Sequence, residues 1–238
     1  MGTTGASMFA EIIKWVVRTF GKDILIVVKD SIQSQYRRIF ASRNILILGP
    51  KQAGKSSLLQ FVTSGRPYEV VGNEIRPPAP TALAAIVDKK FKLQEGNWLR
   101  LKKDVPGDLD LRDTWSQAIA DIQPHGIIYM IDGRRDEGAL REDVRGIRSF
   151  VLDAYPNGNG QLAALHVLVN FADQWASSMV EVRRRVRVVR EELEALIESS
   201  PQWSALRLGV AEAHLSPNKR KWEEAERALH HFGADLVV

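Results

Sequence analysis

The chain has 238 residues, 26.7 kDa and no cysteine, with 45% hydrophobic and 26% charged residues. That length suffices for one or two domains with a buried core, and the absence of thiols excludes a disulfide scaffold, Cys-ligated zinc, an iron–sulfur cluster and thiolate catalysis. Net charge is +4, but residues 1–43 hold seven basic and three acidic side chains while residues 44–238 hold 26 of each. A nucleic-acid binder usually spreads a basic face over its folded body. A basic arm on a neutral body points instead to an anionic surface or an acidic partner, and no nucleic-acid partner is expected. Residues 1–6 carry no basic lead, and Glu11, Lys14 and Arg18 interrupt the apolar stretch that follows. Neither a secretory signal nor a bilayer-spanning helix is therefore expected. The expected location is cytoplasmic, with peripheral membrane attachment open.

In chain order, the arm comes first. Glu11, Lys14, Arg18 and Lys22 recur at spacings of 3, 4 and 4 and form a stripe about 90° wide on a helix over 8–22. Phe9, Ile12, Ile13, Trp15, Val16, Val17 and Phe20 cover the rest. Such a helix either packs on the body or lies in a membrane interface. Residues 44–238 then alternate between apolar runs and amphipathic stretches. Strands are expected at 44–48, 82–87, 98–101, 126–131 and 165–169. Helices are expected from 56, over 114–122, 141–154 and 179–198, and from 219 to 231. Strands without polar alternation are buried on both faces, and helices between them imply crossovers. The expected fold is α/β, a three-layer domain over 44–238 with a mainly parallel central sheet, preceded by an amphipathic basic arm at 1–43.

The main chemical signal is Gly49-Pro-Lys-Gln-Ala-Gly-Lys-Ser56, the pattern G-x-x-x-x-G-K-[ST]. It follows an expected strand and opens an expected helix. Glycines let the backbone turn tightly, so that N–H groups and the helix N-terminus face an anion. Gly49, Gln52, Ala53, Gly54, Lys55, Ser56 and Ser57 are the candidate phosphate-binding residues. Lys55 would reach the β- and γ-phosphates, and the Ser56 hydroxyl would ligate Mg²⁺. Asp104-Val-Pro-Gly107 comes just after the strand at 98–101, where Asp104 would help hold Mg²⁺ and the Gly107 N–H would approach a γ-phosphate. Asn170-Phe-Ala-Asp173 comes after the strand at 165–169. There Asp173 could accept two hydrogen bonds from guanine N1–H and its exocyclic amine, a donor pair adenine lacks. The plain alternatives are a glycine turn, a strand-to-loop turn and an Asn/Asp helix cap.

The order of these motifs resembles the small GTPases of the Ras superfamily, in particular the Arf-like branch and the β-subunit of the signal recognition particle receptor. The resemblance implies a guanine nucleotide-binding switch using GTP, GDP and Mg²⁺, with a protein effector or membrane recruited in the GTP state. It implies that Pro80-Thr81 belongs to switch I, with Thr81 completing the Mg²⁺ shell, and that 104–107 opens switch II. It implies that Asn170 and Asp173 read the base and that Leu215-Ser216 belongs to the last base-contacting loop. The arm at 8–22 is similar to an Arf-type amphipathic helix. Two residues depart from the pattern. Phe171 stands where the family has a Lys that packs along the base. Asp108 stands where the family has a Gln that orients water, so slow intrinsic hydrolysis is expected. Catalytic roles fall to Lys55, Thr81, Gly107 and Asp108. A constitutively GTP-loaded interaction subunit and a phosphate-loop ATPase or kinase of another branch are the competing functions. The basic run 183–190 reads as a solvated helix face with i,i+4 pairs, or as a docking patch.

Overall fold

The computed structural model describes residues 43–71, 73–78, 85–92, 98–104, 113–155, 161–215 and 222–236. The arm at 1–42 lies outside them, as do Thr81, Gly107, Asp108 and Ser216.

The apolar runs become the strands of one sheet. β1 (Arg43–Leu48), β6 (Gly126–Asp132) and β7 (Ala164–Asn170) form its centre, and nearly every residue in them is buried. The order is β4-β5-β1-β6-β7-β8, with β4 (Ala85–Lys92), β5 (Trp98–Asp104) and β8 (Arg207–Glu212) completing six strands. Every pairing is parallel except β4 with β5, which makes β4 an antiparallel edge. β2 (Glu69–Val71) and β3 (Glu74–Arg76) form a separate antiparallel hairpin.

Strand alternation divides the core into two layers. Leu46, Leu48, Ile127, Tyr129, Leu165 and Val167 face one way. They meet α2 (Asp113–Ile122), α3 (Glu137–Ile147) and α5 (Met179–Glu198) through Trp115, Leu140, Val144 and Leu193. Ile45, Ile47, Ile128, Met130 and Leu168 face the other way. They meet α1 (Lys55–Ser64) and α6 (Glu223–Asp235) through Leu58, Phe61, Leu229 and Phe232. Helices on both faces of a mostly parallel sheet make the expected three-layer α/β architecture.

Some expected boundaries move, for local reasons. The helix expected from 141 starts at Glu137, because Asp136 accepts the Ala139 N–H at 2.9 Å and caps it. It ends at Ile147 and passes into a π-helical turn, Arg148–Leu152. The strand expected at 82–87 is described over Ala85–Lys92, where the apolar Ala85-Ile-Val runs on into the polar Asp88-Lys-Lys-Phe-Lys. β8 and the β2–β3 hairpin were not expected. β8 offers only Leu208 and Val210 around a glycine, and the hairpin leaves Val70, Val71 and Ile75 more than half exposed. The i,i+4 pairs expected along α5 are replaced by bonds across to α3. Glu192 accepts from Arg141 at 2.9 Å and Arg145 at 2.6 Å, and Arg184 pairs with Glu137 at 3.2 Å. Burial would raise the Glu192 carboxyl, but these two arginines hold it below the usual range. No helix among the described residues is long and apolar enough to cross a membrane.

Candidate functional site

Parallel strands place their following loops on one edge. Gly49 follows β1, Gly133 follows β6, Phe171 follows β7 and Ala213 follows β8. Register fixes the alignment: Leu48 lies beside Tyr129, Asp132 beside Asn170, and Val169 beside Glu212. The phosphate-loop pattern and the Asn170–Asp173 motif therefore share the carboxyl edge of the sheet, although about 120 residues separate them in the chain.

The loop 49–54 turns through left-handed backbone. Gly49, Gln52 and Gly54 have φ of 138°, 65° and 96°. At Gly49 a Cβ would lie 2.1 Å from the Met130 carbonyl oxygen, and at Gly54 it would lie 2.1 Å from Asn170 Nδ2. Both glycines are required by conformation and by close approach. Gly54 precedes α1, so Lys55, Ser56 and Ser57 form its first turn. Lys55 is buried and donates to the Pro50 carbonyl at 2.9 Å, which folds the ammonium back over its own loop.

Asn170 joins this loop to the other half of the site. Its side chain is fully buried. Nδ2 donates to the Ala53 carbonyl at 3.0 Å, and Oδ1 accepts the Leu215 N–H at 3.4 Å. One amide thus ties the phosphate loop to the loop after β8. Its carbonyl is also engaged, accepting from Trp175 Nε1 at 3.0 Å and from the Gly133 N–H at 3.2 Å. Both ends of the Asn170 amide, expected as a base contact, hold protein groups.

After β7, Phe171 takes φ 61° and leads into a single helical turn, α4 (Ala172–Trp175). Asp173 lies on that turn, mostly buried, and His214 Nδ1 is 3.9 Å from Asp173 Oδ1. That nitrogen is itself buried without a hydrogen-bond partner among the described residues. Beside them, the Arg134 guanidinium sits 4.1 Å from the Phe171 ring centroid. Two hydrogen bonds to Asp132, at 2.9 and 2.7 Å, and one to Gln174 at 3.1 Å hold it there. The bonds to Asp132 push the Arg134 pKa further up, so the cation is permanent. Arg185 reaches from α5 to the Gly133 and Arg135 carbonyls and lies 4.8 Å from the Trp175 ring. Arg134 belongs to the stretch after the central strand that carries the family resemblance, but neither His214 nor Arg185 stands out in the sequence as part of this site. They approach it from other elements, and no spacing rule links them to 170–173.

At the other end of the site, β5 pairs with β1 so that Asp104 lies beside Ile47. The head of α1 and the end of β5 therefore follow from neighbouring strands. Among the described residues no group of three His, Cys, Asp or Glu side chains could hold a metal by itself. A cation here would rest on a hydroxyl, one carboxylate and ligand oxygens, a donor set suited to a hard divalent ion.

The sheet order, the loop with Lys55 and the corner at Asp173 define the class: an α/β phosphate-loop domain with a small-GTPase-like fold. Comparison with solved structures agrees. The mammalian SRP receptor structure matches with a TM-score of 0.58 and 17% identity, over 80% of this chain and 100% of that one. A GTP-binding protein from the hyperthermophilic archaeon Sulfolobus solfataricus, in complex with GDP, matches with a TM-score of 0.55 and 14% identity, over 99% of this chain and 68% of that one. A further GDP complex, of SsGBP, matches with a TM-score of 0.57 at 14% identity, over 100% and 70% of the two chains. No family model and no curated protein sequence matches the chain. At these identities the likeness is one of fold.

Proposed function

We propose that this chain binds guanine nucleotide and acts as a small-GTPase-type switch with slow intrinsic hydrolysis. The observation that carries the reading is the buried Asn170 amide, bonded at one end to Ala53 in the phosphate loop and at the other to Leu215 in the last loop. Asp173 follows this amide by three residues, so one buried tie supports both the loop read as phosphate-binding and the carboxylate read as base-selecting. The GDP complex of the archaeal GTP-binding protein supports the same ligand class.

The residues have separable roles. Backbone N–H groups of 52–57 and the Lys55 ammonium bind phosphate once Lys55 leaves the Pro50 carbonyl. Asp173 selects guanine through N1–H and the exocyclic amine. Ser56, Asp104 and Thr81 would hold Mg²⁺, which would supply charge neutralisation for the phosphates. The Gly107 N–H and Thr81 respond to a γ-phosphate, so the segments around them report the GTP state to an effector. Asp108 is short and anionic where a water-orienting amide would serve, which slows hydrolysis. The arm at 8–22 attaches the protein to a membrane surface or a partner.

Asp108 also favours a second reading, a GTP-loaded interaction subunit that does not cycle. Identifying the nucleotide released on denaturing the purified protein tests both. GDP supports the switch, and GTP supports the non-cycling subunit. An adenine nucleotide overturns the guanine assignment in favour of an ATPase or kinase of another branch. Liposome sedimentation with and without residues 1–22 tests the arm, and equal sedimentation would exclude its role in membrane binding.

A further inference from the structure

We propose that β3 is a dimerisation edge, whose outer side pairs antiparallel, about Ile75, with β3 of a second copy of this chain. The proposal stands apart from the nucleotide reading above.

The β2–β3 hairpin is a two-stranded sheet, and among the described residues no third strand joins it. A lone hairpin is marginal in water, and a strand edge with unpaired N–H and C=O groups is a template for another strand. All six strand residues are exposed. Val70, Val71 and Ile75 are three of the five large hydrophobic side chains exposed among the described residues.

Register decides what the free edge offers. Val71 lies opposite Glu74, Val70 opposite Ile75 and Glu69 opposite Arg76. Only two residues separate Val71 from Glu74, so that pair closes the turn through hydrogen bonds, and Val70 with Ile75 is the next, non-hydrogen-bonded pair. The Ile75 N–H and C=O therefore point to the outer edge of β3. An antiparallel strand centred on Ile75 exchanges both bonds with Ile75 of the second copy, the self-complementary contact of a two-fold dimer.

The side chains fit the same operation. It sets Glu74 opposite Arg76 of the second copy, and Arg76 opposite Glu74 of that copy. Within one chain Arg76 Nε already donates to Glu74 at 2.9 Å, and both side chains are more than half exposed. In the dimer each Arg76 stands between Glu69 of its own hairpin and Glu74 of the second copy, and opposite charges that face each other across strands attract. On the other face Val70 and Ile75 continue into the same two residues of the second copy, a row of four aliphatic side chains across four strands. The β2 edge lacks this match, since pairing about Val70 would set Glu69 opposite Val71. Pro77 and Pro78 follow β3 and carry no N–H, so the ladder ends at Arg76. Three residues per strand bury less than a stable dimer needs, so the association is weak and concentration-dependent.

The test is sedimentation velocity of the full-length protein over a wide concentration range, with charge reversals at these exposed positions. The wild type should self-associate. Glu74→Arg and Arg76→Glu should each weaken self-association about tenfold or more, because either change turns both facing pairs into like charges. An equimolar mixture of the two variants should associate again, since each meets the opposite charge in the other. The double variant Glu74→Arg/Arg76→Glu should pair with itself and not with the wild type. A wild type that stays monomeric throughout overturns the proposal. So do single variants that associate as the wild type does, which places the contact elsewhere, and a mixture that fails to recover association.

Discussion

In the proposed site, the phosphate half comes from one contiguous segment, residues 49–57, and the base half from the ends of three strands. In the first half backbone conformation decides the outcome. Left-handed residues at 49, 52 and 54 shape the loop, and the side chains that matter follow at once. In the second half side chains decide it. Arg134 comes from the end of β6, Phe171 and Asp173 from the end of β7, and His214 from beyond β8. Contiguous backbone solutions leave a pattern in sequence because each position has a fixed offset from the next. Assembled side-chain solutions show only their contiguous part, here 170–173, and the rest emerges with the strand order.

Asn170 is the joint between the halves, and breaking either side of it gives the largest effects. Gly54→Ala would place a Cβ 2.1 Å from Asn170 Nδ2 in backbone with φ 96°. A loss of about 3 kcal/mol or more in denaturant unfolding is expected, with nucleotide binding abolished. Asn170→Ala leaves the Ala53 carbonyl and the Leu215 N–H without their partner, for an expected loss of about 2–3 kcal/mol. Its effect should reach both halves, lowering affinity for pyrophosphate and for nucleotide alike. Asp173→Asn touches the base half only. It should reduce the preference for GDP over ADP by about tenfold or more, with stability nearly unchanged.

Two smaller predictions lie away from the comparison and serve as its controls. His166 is buried beneath β8, where Gly209 makes room for its ring, and its Nε2 donates to Asp235 at 2.7 Å. Burial outweighs the Asp235 carboxylate and pushes His166 below the ordinary 6.5. His125 is lowered too, by burial and then by Arg43. The unfolded chain therefore binds more protons than the folded one at mildly acid pH, and stability must fall as pH drops through this range. The melting temperature should decline from about pH 6.5 downward, and Asp235→Asn should steepen that decline, since it removes the group that holds the pKa up. Glu192→Gln weakens the α3–α5 contact with Arg141 and Arg145. It should cost about 0.5–1 kcal/mol by thermal melting and leave nucleotide affinity alone.

Much of the fold was legible because its strands are continuous apolar runs. β1, β6 and β7 are buried on both faces and were placed within a residue of their ends. The helix Met179–Glu198 was read correctly at both ends, where Ser178 caps it by accepting the Glu181 N–H. The edges were harder. β8 and the β2–β3 hairpin lack an apolar run, because an edge strand buries little and a hairpin exposed on both faces buries less. Within the site, the phosphate loop and the motif 170–173 were visible as patterns. The use of the Asn170 amide as a tie was not, since its partners Ala53 and Leu215 lie 117 and 45 residues away. Phe171 was visible only as a departure from a resemblance. What occupies its ring became apparent once β6 and β7 were side by side.

The most direct test of the account is competition between GDP and ADP, in the presence of Mg²⁺, for the wild type and for Asp173→Asn. The account predicts a strong preference for GDP in the wild type that collapses in the variant while overall folding is kept. Equal binding of both nucleotides by the wild type, or a preference for GDP that survives Asp173→Asn, would contradict it.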